Sequence, residues 1–311
     1  MVFQRQRERE RGMSMVKEIL RRIGKPPVLG MNRRNLELVS SRNERRHFVI
    51  ADDKLLAKQW LERASVKTSP TLATFDSFYE IGFWRDKLQG LDEFVVKPAR
   101  GSGGRGILVI AERRDDLFIT AGGNILTPEN LIRHIGDIVF GVYALDKADV
   151  AIVEPRLKPD PFFAALFENG LSDMRLIFAD DEFALCMIRV PTKASDGRAN
   201  LHQGAIGIGV DSATGMTYRA VQKGRLIETH PETGVSLINL QVPSWNEVVE
   251  IAKAAAAALP LKYLGVDMVV DKDLGPLILE VNARPGIEIQ NVTGRSLLSV
   301  LREHGVLEQP W

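Results

Sequence analysis

The sequence predicts an α+β fold in two lobes: a small lobe carrying a glycine-rich loop, then a larger, mainly antiparallel one. Three observations point there. Apolar residues recur at helical spacing between residues 52 and 90. Four glycines, Gly101, Gly103, Gly104 and Gly106, fall between two β-like runs, "FVVKP" and "GILVIA". From about residue 150 the chain turns to short Val/Ile-rich runs separated by turn residues.

The elements follow in chain order. The first eleven residues alternate Arg and Glu and read as a solvated, disordered lead-in. In "MSMVKEILRRIG", Met15, Ile19 and Ile23 share a helical face, as in a surface helix docked on its own protein. Asp52 or Asp53 caps a helix through "DDKLLAKQWLERA", with Leu56, Trp60 and Ala64 on one face. "TSPTLATF" reads as extended. Asp76 opens a helical pattern through Phe78, Ile81, Trp84 and Leu88, closed by Gly90. Thr127 and Pro128 start the helix "TPENLIRHI". The strands "VAIVEPRL", "MRLIFAD", "EFALCMIRV", "AIGIGVD" and "GVDMVVD" come next. One helix interrupts them, begun by a capping box of Ser244 and Glu247 and stopped by Pro260.

Composition narrows the function classes. A formal net charge of +1 leaves no electrostatic footprint for nucleic acid. The single cysteine, Cys186, excludes an intrachain disulfide and fits a reducing, cytoplasmic setting; its apolar neighbours make it a buried structural thiol. The charged start lacks the apolar stretch of a secretory signal, and no run of about eighteen apolar residues is present to span a membrane.

"GSGGRG" satisfies G-x-G-x-x-G, yet it is followed by the strand-like "ILVIA", whereas a dinucleotide fingerprint needs a helix there to hold the pyrophosphate. Ile107 stands where a Walker loop has its lysine, and no H-R-D or D-F-G motif accompanies a kinase reading. What remains is strand, lysine, glycine loop, strand: a flap whose backbone N–H groups close over phosphates. Lys97, on the same side of its strand as Val95, adds a positive charge beside them.

"GVDMVVDKDLGPLILEVNARPG" supplies a second constellation. With Asp271 opposite Pro276 across the turn Lys272–Gly275, antiparallel register sets Asp267 against Glu280, with Asn282 on the same face. Two opposed carboxylates repel unless neutralised, and Mg²⁺ suits such a pair beside nucleotide phosphates. Elsewhere, Asp173 and Arg175 share a strand face, and Arg198, Asn200 and His202 share one if "RANLHQG" is extended. Arg189 and Lys193 add cationic charge nearby. His202 has no partner histidine or cysteine at ligand spacing and is not read as a metal ligand.

Lysine, glycine flap and a distant D…E-x-N resemble the ATP-grasp superfamily, in which two α+β lobes hold ATP between them. Within it, "RNLELVSSRNERRHFVIADDK", "VVKPARGSGGRGI", "RANLHQG" and "LEVNARPG" resemble the bacterial alpha-L-glutamate ligase-like family, related to the ligases that modify ribosomal proteins. The resemblance runs from about residue 28 to the C-terminus. It implies that Lys54, Lys97 and the loop Gly101, Ser102, Gly103, Gly104 and Gly106 contact ATP, and that Glu154, at the hinge "IVEPRL", reads adenine. It also implies nucleotide-site roles for Asp173, Arg198 and Asn200, and Mg²⁺ (or Mn²⁺) on Asp267, Glu280 and Asn282. Two departures stand out: a short segment ahead of "DDK" and a long insert, "KPDPFFAALFENGLS", after the hinge. The expected division is a reduced N-terminal segment over 1–50, the flap-bearing lobe over 51–155 and the metal-bearing lobe over 156–311.

The expected chemistry is ATP- and Mg²⁺-dependent carboxylate–amine ligation through an acylphosphate, joining glutamate or a similar amino acid to a peptide or other amine acceptor. Lys97 acts at the transferring phosphoryl group, and Arg189, Lys193 or Arg284 at the acyl oxyanion or substrate carboxylate. A ligase or phosphotransferase for another, such as glycan-linked, acceptor is the alternative, and a non-catalytic nucleotide-binding regulator the third reading.

Overall fold

The computed structural model describes residues 28–308 except Ser102. The charged lead-in and the helix expected over residues 13–24 therefore lie outside the described residues, as does Ser102 itself.

Two antiparallel sheets carry the molecule. The small lobe is a six-stranded sheet of β1 (Ala73–Phe75), β2 (Phe94–Pro98), β3 (Leu108–Arg114), β4 (Leu117–Thr120), β5 (Ile125–Leu126) and β6 (Ala151–Pro155), in the order β1-β6-β2-β3-β4-β5. Alternation along β2 decides its faces. Phe94 and Val96 enter a core with Leu131 and Ile135, while Lys97 faces the other way. That core is closed by α6 (Pro128–Val139), numbered after the helices α1 (Met31–Arg33), α2 (Phe48–Asp52), α3 (Lys54–Arg63), α4 (Phe78–Ile81) and α5 (Trp84–Lys87). Thr127 caps α6 as expected, its hydroxyl accepting from Asn130 N–H while the Asn130 side chain accepts from Thr127 N–H.

The helix expected from Asp76 to Leu88 is two helices. Gly82 and Phe83 bond back three residues, to Tyr79 and Glu80, tightening the turn so that the helix cannot continue. Ser77, not Asp76, is the cap. Ile81, Trp84 and Leu88 are buried as the spacing predicts, but Phe78 is 55% exposed.

The large lobe is a seven-stranded sheet of β7 (Asp173–Ala179), β8 (Glu182–Val190), β9 (Ile206–Val210), β10 (Thr217–Gln222), β11 (Arg225–Ile227), β12 (Tyr263–Asp271) and β13 (Gly275–Asn282), in the order β11-β10-β9-β8-β7-β12-β13. One face carries the larger apolar core: Met174, Leu176, Ile188, Val266 and Met268 pack with Phe163 and Leu166 of α7 (Pro161–Leu166) and with Val248, Ala252 and Ala255 of α8 (Trp245–Ala258). The insert after the hinge thus contributes α7 to this core. So does α3, through Ala57 and Leu61. Of the face expected on α3, Leu56 and Trp60 pack partly buried against this core, but its fully buried residues are Ala57, Lys58 and Leu61, and Ala64 is exposed. α8 ends before Pro260, but the expected capping box does not form. Ser244 sits at φ 52 and its side chain makes no cap hydrogen bond.

The other face of the large sheet is divided along its strands. At one end Ile177, Leu185, Met187 and Tyr263 lie under α9 (Ile289–Thr293), α10 (Leu297–Glu303) and residues 29–39. α9 comes close enough that a Cβ on Gly207 would meet Val292 at 2.4 Å. At the other end the same strands present Asp173, Arg175, Arg189 and Asp267. Residues 29–43, where α1 continues into a π-helical segment, Arg34–Ser40, are strapped to the strand ends. The Gln290 amide accepts from Leu29 N–H and donates to its carbonyl. Asn43 accepts from Lys262 and Tyr263 N–H and donates to the Tyr263 and Ala283 carbonyls.

Candidate functional site

α3 links the two sheets: Ala57 and Leu61 enter the large-lobe core while Lys54 and Lys58 reach Gly101 and Glu154 of the small lobe. Asp53 caps the helix, one carboxylate oxygen accepting from Leu55 and Leu56 N–H at 3.1 Å and the other from Arg100 Nε at 3.1 Å. The Lys54 backbone N–H donates to Ala99 C=O, and its ammonium donates to Gly101 C=O at 2.6 Å. The helix start is thereby tied to the root of the glycine flap. The same ammonium lies 3.9 Å from Glu280 Oε2 in the large lobe. Burial lowers the Lys54 pKa from its ordinary value, against the pull of Glu280.

The flap is anchored at both ends. Asp149, buried and pushed upward by that burial, accepts from Arg100 and Val150 N–H on one side. On the other, His134 on α6 lies 3.0 Å through Nε2 from Gly106 C=O. Gly106 has φ +77, and a Cβ there would stand 2.6 Å from the Tyr143 ring, so only glycine fits. Between the anchors Gly103 has φ +66 with open space where a Cβ would be. Gly104 meets the large lobe: its Cβ would lie 3.8 Å from Arg198 Cδ.

Behind the flap three ionised side chains form a buried cluster. Glu154 on β6 receives the Lys97 ammonium from β2 at 2.7 Å on Oε2 and the Lys58 ammonium from α3 at 2.5 Å on Oε1. Lys58 also donates to Thr71 Oγ1 at 3.0 Å. All three are at most 6% exposed. Burial opposes the charge on Glu154, but the two lysines outweigh it and lower the carboxyl pKa; burial lowers that of Lys58. Both Glu154 oxygens are committed to lysines, so its carboxylate is a clamp on Lys97 as much as a candidate adenine contact.

The large-lobe floor is a second ionic cluster. Arg175 grips Asp267 with two bonds, Nε to Oδ1 at 2.7 Å and Nη2 to Oδ2 at 2.5 Å. Arg189 grips Asp173 in the same way, both at 2.6 Å, and reaches Asp267 Oδ2 at 2.9 Å. Burial works against the Asp267 charge, yet Arg175 and Arg189 hold its carboxyl well below the usual range; burial pushes Asp173 up to about 6. Asp267 pairs with Glu280 across β12 and β13, and Asn282 Nδ2 donates to both, at 3.2 and 3.3 Å.

The donor set fits a hard divalent cation at Glu280. Its side chain is one-third exposed and, among the described residues, makes no arginine ion pair, whereas both Asp267 oxygens are held by guanidinium groups. Among the described residues no three His, Cys, Asp or Glu side chains form a metal cage. Mg²⁺ takes one or two carboxylates and leaves the rest to water and phosphate oxygens. Glu280 and Asn282, with the amide turned to present its oxygen, would hold the ion, and Asp267 would join only if Arg189 gave way.

The remaining residues sit less centrally. Arg284 is drawn aside, both Asp52 oxygens accepting from its Nη2 while it stacks 4.8 Å over Phe48. "RANLHQG" is not extended: Asn200 accepts from His202 N–H and caps a 3₁₀ turn, Leu201–Gln203, so Arg198, Asn200 and His202 do not share a strand face. Arg198 reaches the flap tip and Lys193 N–H donates to Glu232. Cys186 is buried, as its neighbours predict. The sequence reading does not single out Lys58, although one signal is present: two lysines four apart in "KLLAK". Asp149, His134 and Tyr143 carry no sequence signal of their own.

Comparison with known proteins gives this arrangement a context. A family model described as sugar-transfer associated ATP-grasp matches residues 33–305. A Pseudomonas putida (strain GB-1) protein named "Probable alpha-L-glutamate ligase" is 28% identical over 138 residues, 44% of this chain and 35% of its own length. The protein of that name in Pseudomonas fluorescens (strain SBW25) is 27% identical over the same length. The match thus spans about a third of those relatives. Helicobacter pylori D-alanine–D-alanine ligase superposes with a TM-score of 0.50 at 14% identity, covering 86% of this chain and 64% of that one. The biotin carboxylase domain of Hydrogenobacter thermophilus 2-oxoglutarate carboxylase, solved with MgADP and bicarbonate, superposes with a TM-score of 0.51 at 16% identity, covering 86% and 48%.

Proposed function

The chain belongs to the sugar-transfer associated ATP-grasp family and has the ATP-grasp fold, and from that premise we propose that it is an ATP-dependent carboxylate–amine ligase. One observation carries the reading. The Lys54 ammonium spans from the flap root at Gly101 to Glu280, so phosphates under the flap would lie beside the acid pair.

ATP enters between the sheets. Lys54, Lys97 and the flap amides surround its phosphates, and Arg198 meets the flap tip. A Mg²⁺ ion on Glu280 and Asn282 would neutralise charge on the β- and γ-oxygens. The γ-phosphoryl passes to a substrate carboxylate oxygen, releasing ADP and leaving an acylphosphate. An amine attacks the acyl carbon, phosphate departs with that oxygen, and the amine proton goes to solvent. Arg189 and Arg175, fixed by Asp173 and Asp267, line the floor where the carboxylate is activated. No side-chain nucleophile is needed.

The curated relatives' names support glutamate or a similar amino acid as one partner of the bond. The family description favours a second reading of the acceptor, an amine carried on a sugar. A screen of ¹⁸O-carboxylate amino acids with amine acceptors tests both. Labelled phosphate together with ADP supports the ligase; labelled AMP, or no ATP consumption with any pair, removes it.

A further inference from the structure

The ionic cluster behind the flap carries more cation than it needs for its own balance. One carboxylate, Glu154, serves two ammonium groups, Lys58 at 2.5 Å and Lys97 at 2.7 Å. The three are 6% exposed or less, so water does little to screen them. A lone pair of Glu154 and Lys97 would be neutral, and its field on a neighbouring anion weak. With Lys58 on the other carboxylate oxygen, the group retains a net positive charge in a low-dielectric site, an arrangement that is costly until an anion arrives. Lys58 itself is turned to Glu154 and Thr71. Lys97 occupies the face of β2 that the small-lobe core leaves to the cleft.

We propose that Lys58 is a positioning residue for the nucleotide. By taking half of the Glu154 carboxylate, it leaves Lys97 incompletely neutralised and holds that ammonium ready for phosphate oxygens. The inference rests on the reading of the cleft as an ATP site.

The test is calorimetric titration of the full chain with MgADP. Lys58→Met should weaken binding by about tenfold, the order expected when one nearby unit charge is removed. Lys58→Arg should bind like the wild type. Adding Glu154→Gln to Lys58→Met restores the net charge around Lys97, so the double variant should recover to within about threefold of wild type. A bracket that merely ties α3 to β6 would lower the melting temperature in Lys58→Met and leave affinity unchanged, and the second substitution would worsen it.

Unchanged affinity in Lys58→Met, or no recovery in the double variant, overturns the inference. Should Lys58→Met fail to fold, Lys58→Gln, which keeps a polar group toward Thr71 but removes the charge, decides: about tenfold weaker MgADP binding supports the proposal, and unchanged binding overturns it. A wild-type protein that binds no nucleotide removes the functional reading and this inference with it. Normal wild-type binding with an indifferent Lys58→Met removes the inference alone.

Discussion

Asp267 faces Glu280 across the β12–β13 hairpin only because Leu279 bulges out of the ladder. From the turn inward the register runs Asp271 with Gly275, Val270 with Pro276, Val269 with Leu277 and Met268 with Ile278, then skips one residue to pair Asp267 with Glu280. The bulge turns Glu280 onto the cleft face, where Asn282 spans both acids. The two carboxylates are nonetheless unequal. Two arginines pair directly with Asp267, while the ion pair of Glu280 among the described residues is with Lys54 at 3.9 Å.

That inequality makes Glu280 the acid to remove. Glu280→Ala should lower Mg²⁺-dependent ATP turnover by on the order of 10²–10³, as when one preorganised charge contact to a transition state is deleted. The melting temperature should hardly move, because the side chain is partly exposed and opposes a like charge. Steady-state rates across a Mg²⁺ titration, beside a thermal melt, check both halves; near-wild-type turnover would remove the cation from Glu280.

Lys54 sets a pH dependence. Its pKa is lowered in the folded protein, so it loses its proton at a lower pH than an ordinary lysine at 10.5. Phosphate binding wants the ammonium. ATP affinity should therefore be full at neutral pH and fall as pH rises through the lowered value, before free lysines titrate. Lys54→Arg, which stays charged throughout, should abolish that alkaline limb. A limb that persists in Lys54→Arg would assign it elsewhere.

The flap should open between its anchors. Gly103 has open space beside it, while Gly106 is pinned by His134 and Tyr143. Amide exchange at residues 103 and 104 should be fast in the free protein and slow with Mg²⁺ and a non-hydrolysable ATP analogue. Position 106 should change less. Equal protection in both states would show that the loop does not close on the nucleotide.

Asn43 should matter to stability alone. Its buried side chain satisfies four backbone groups on Lys262, Tyr263 and Ala283. Asn43→Ala strands them and should cost about 2–4 kcal/mol by denaturant titration. The rate per folded molecule at low temperature should stay within about twofold. A neutral stability effect would mean that water replaces the amide.

The sequence makes the pairing of Asp267 with Glu280 legible for a reason that does not hold. Pairing Asp271 with Pro276 is one residue off, and the bulge at Leu279 restores the register by the same amount. Alternation reveals which residues share a face, but bulges leave no mark in an apolar run such as "LILE". Strands with long Val/Ile runs were readable, whereas β10 and β11, with mixed polarity, were not. The two lysines of "KLLAK" were visible, but only tertiary packing decides that the second turns inward to Glu154. "RANLHQG" misleads because Asn200 caps a short turn from its own side chain, a local bond that outcompetes extension.

The strap of residues 29–43 constrains how the protein can be dissected. A fragment begun at Lys54 would keep every candidate ligand of the nucleotide and of the cation, and by motif alone would pass as a complete catalytic unit. It would also uncover Tyr263, now wholly buried, and leave the ends of β12 and β13 without Asn43. Those are the strands that carry Asp267, Glu280 and Asn282. Trimming to the recognisable motifs would therefore yield a chain with all its chemistry and a loosened frame, and its inactivity would say nothing about the residues retained.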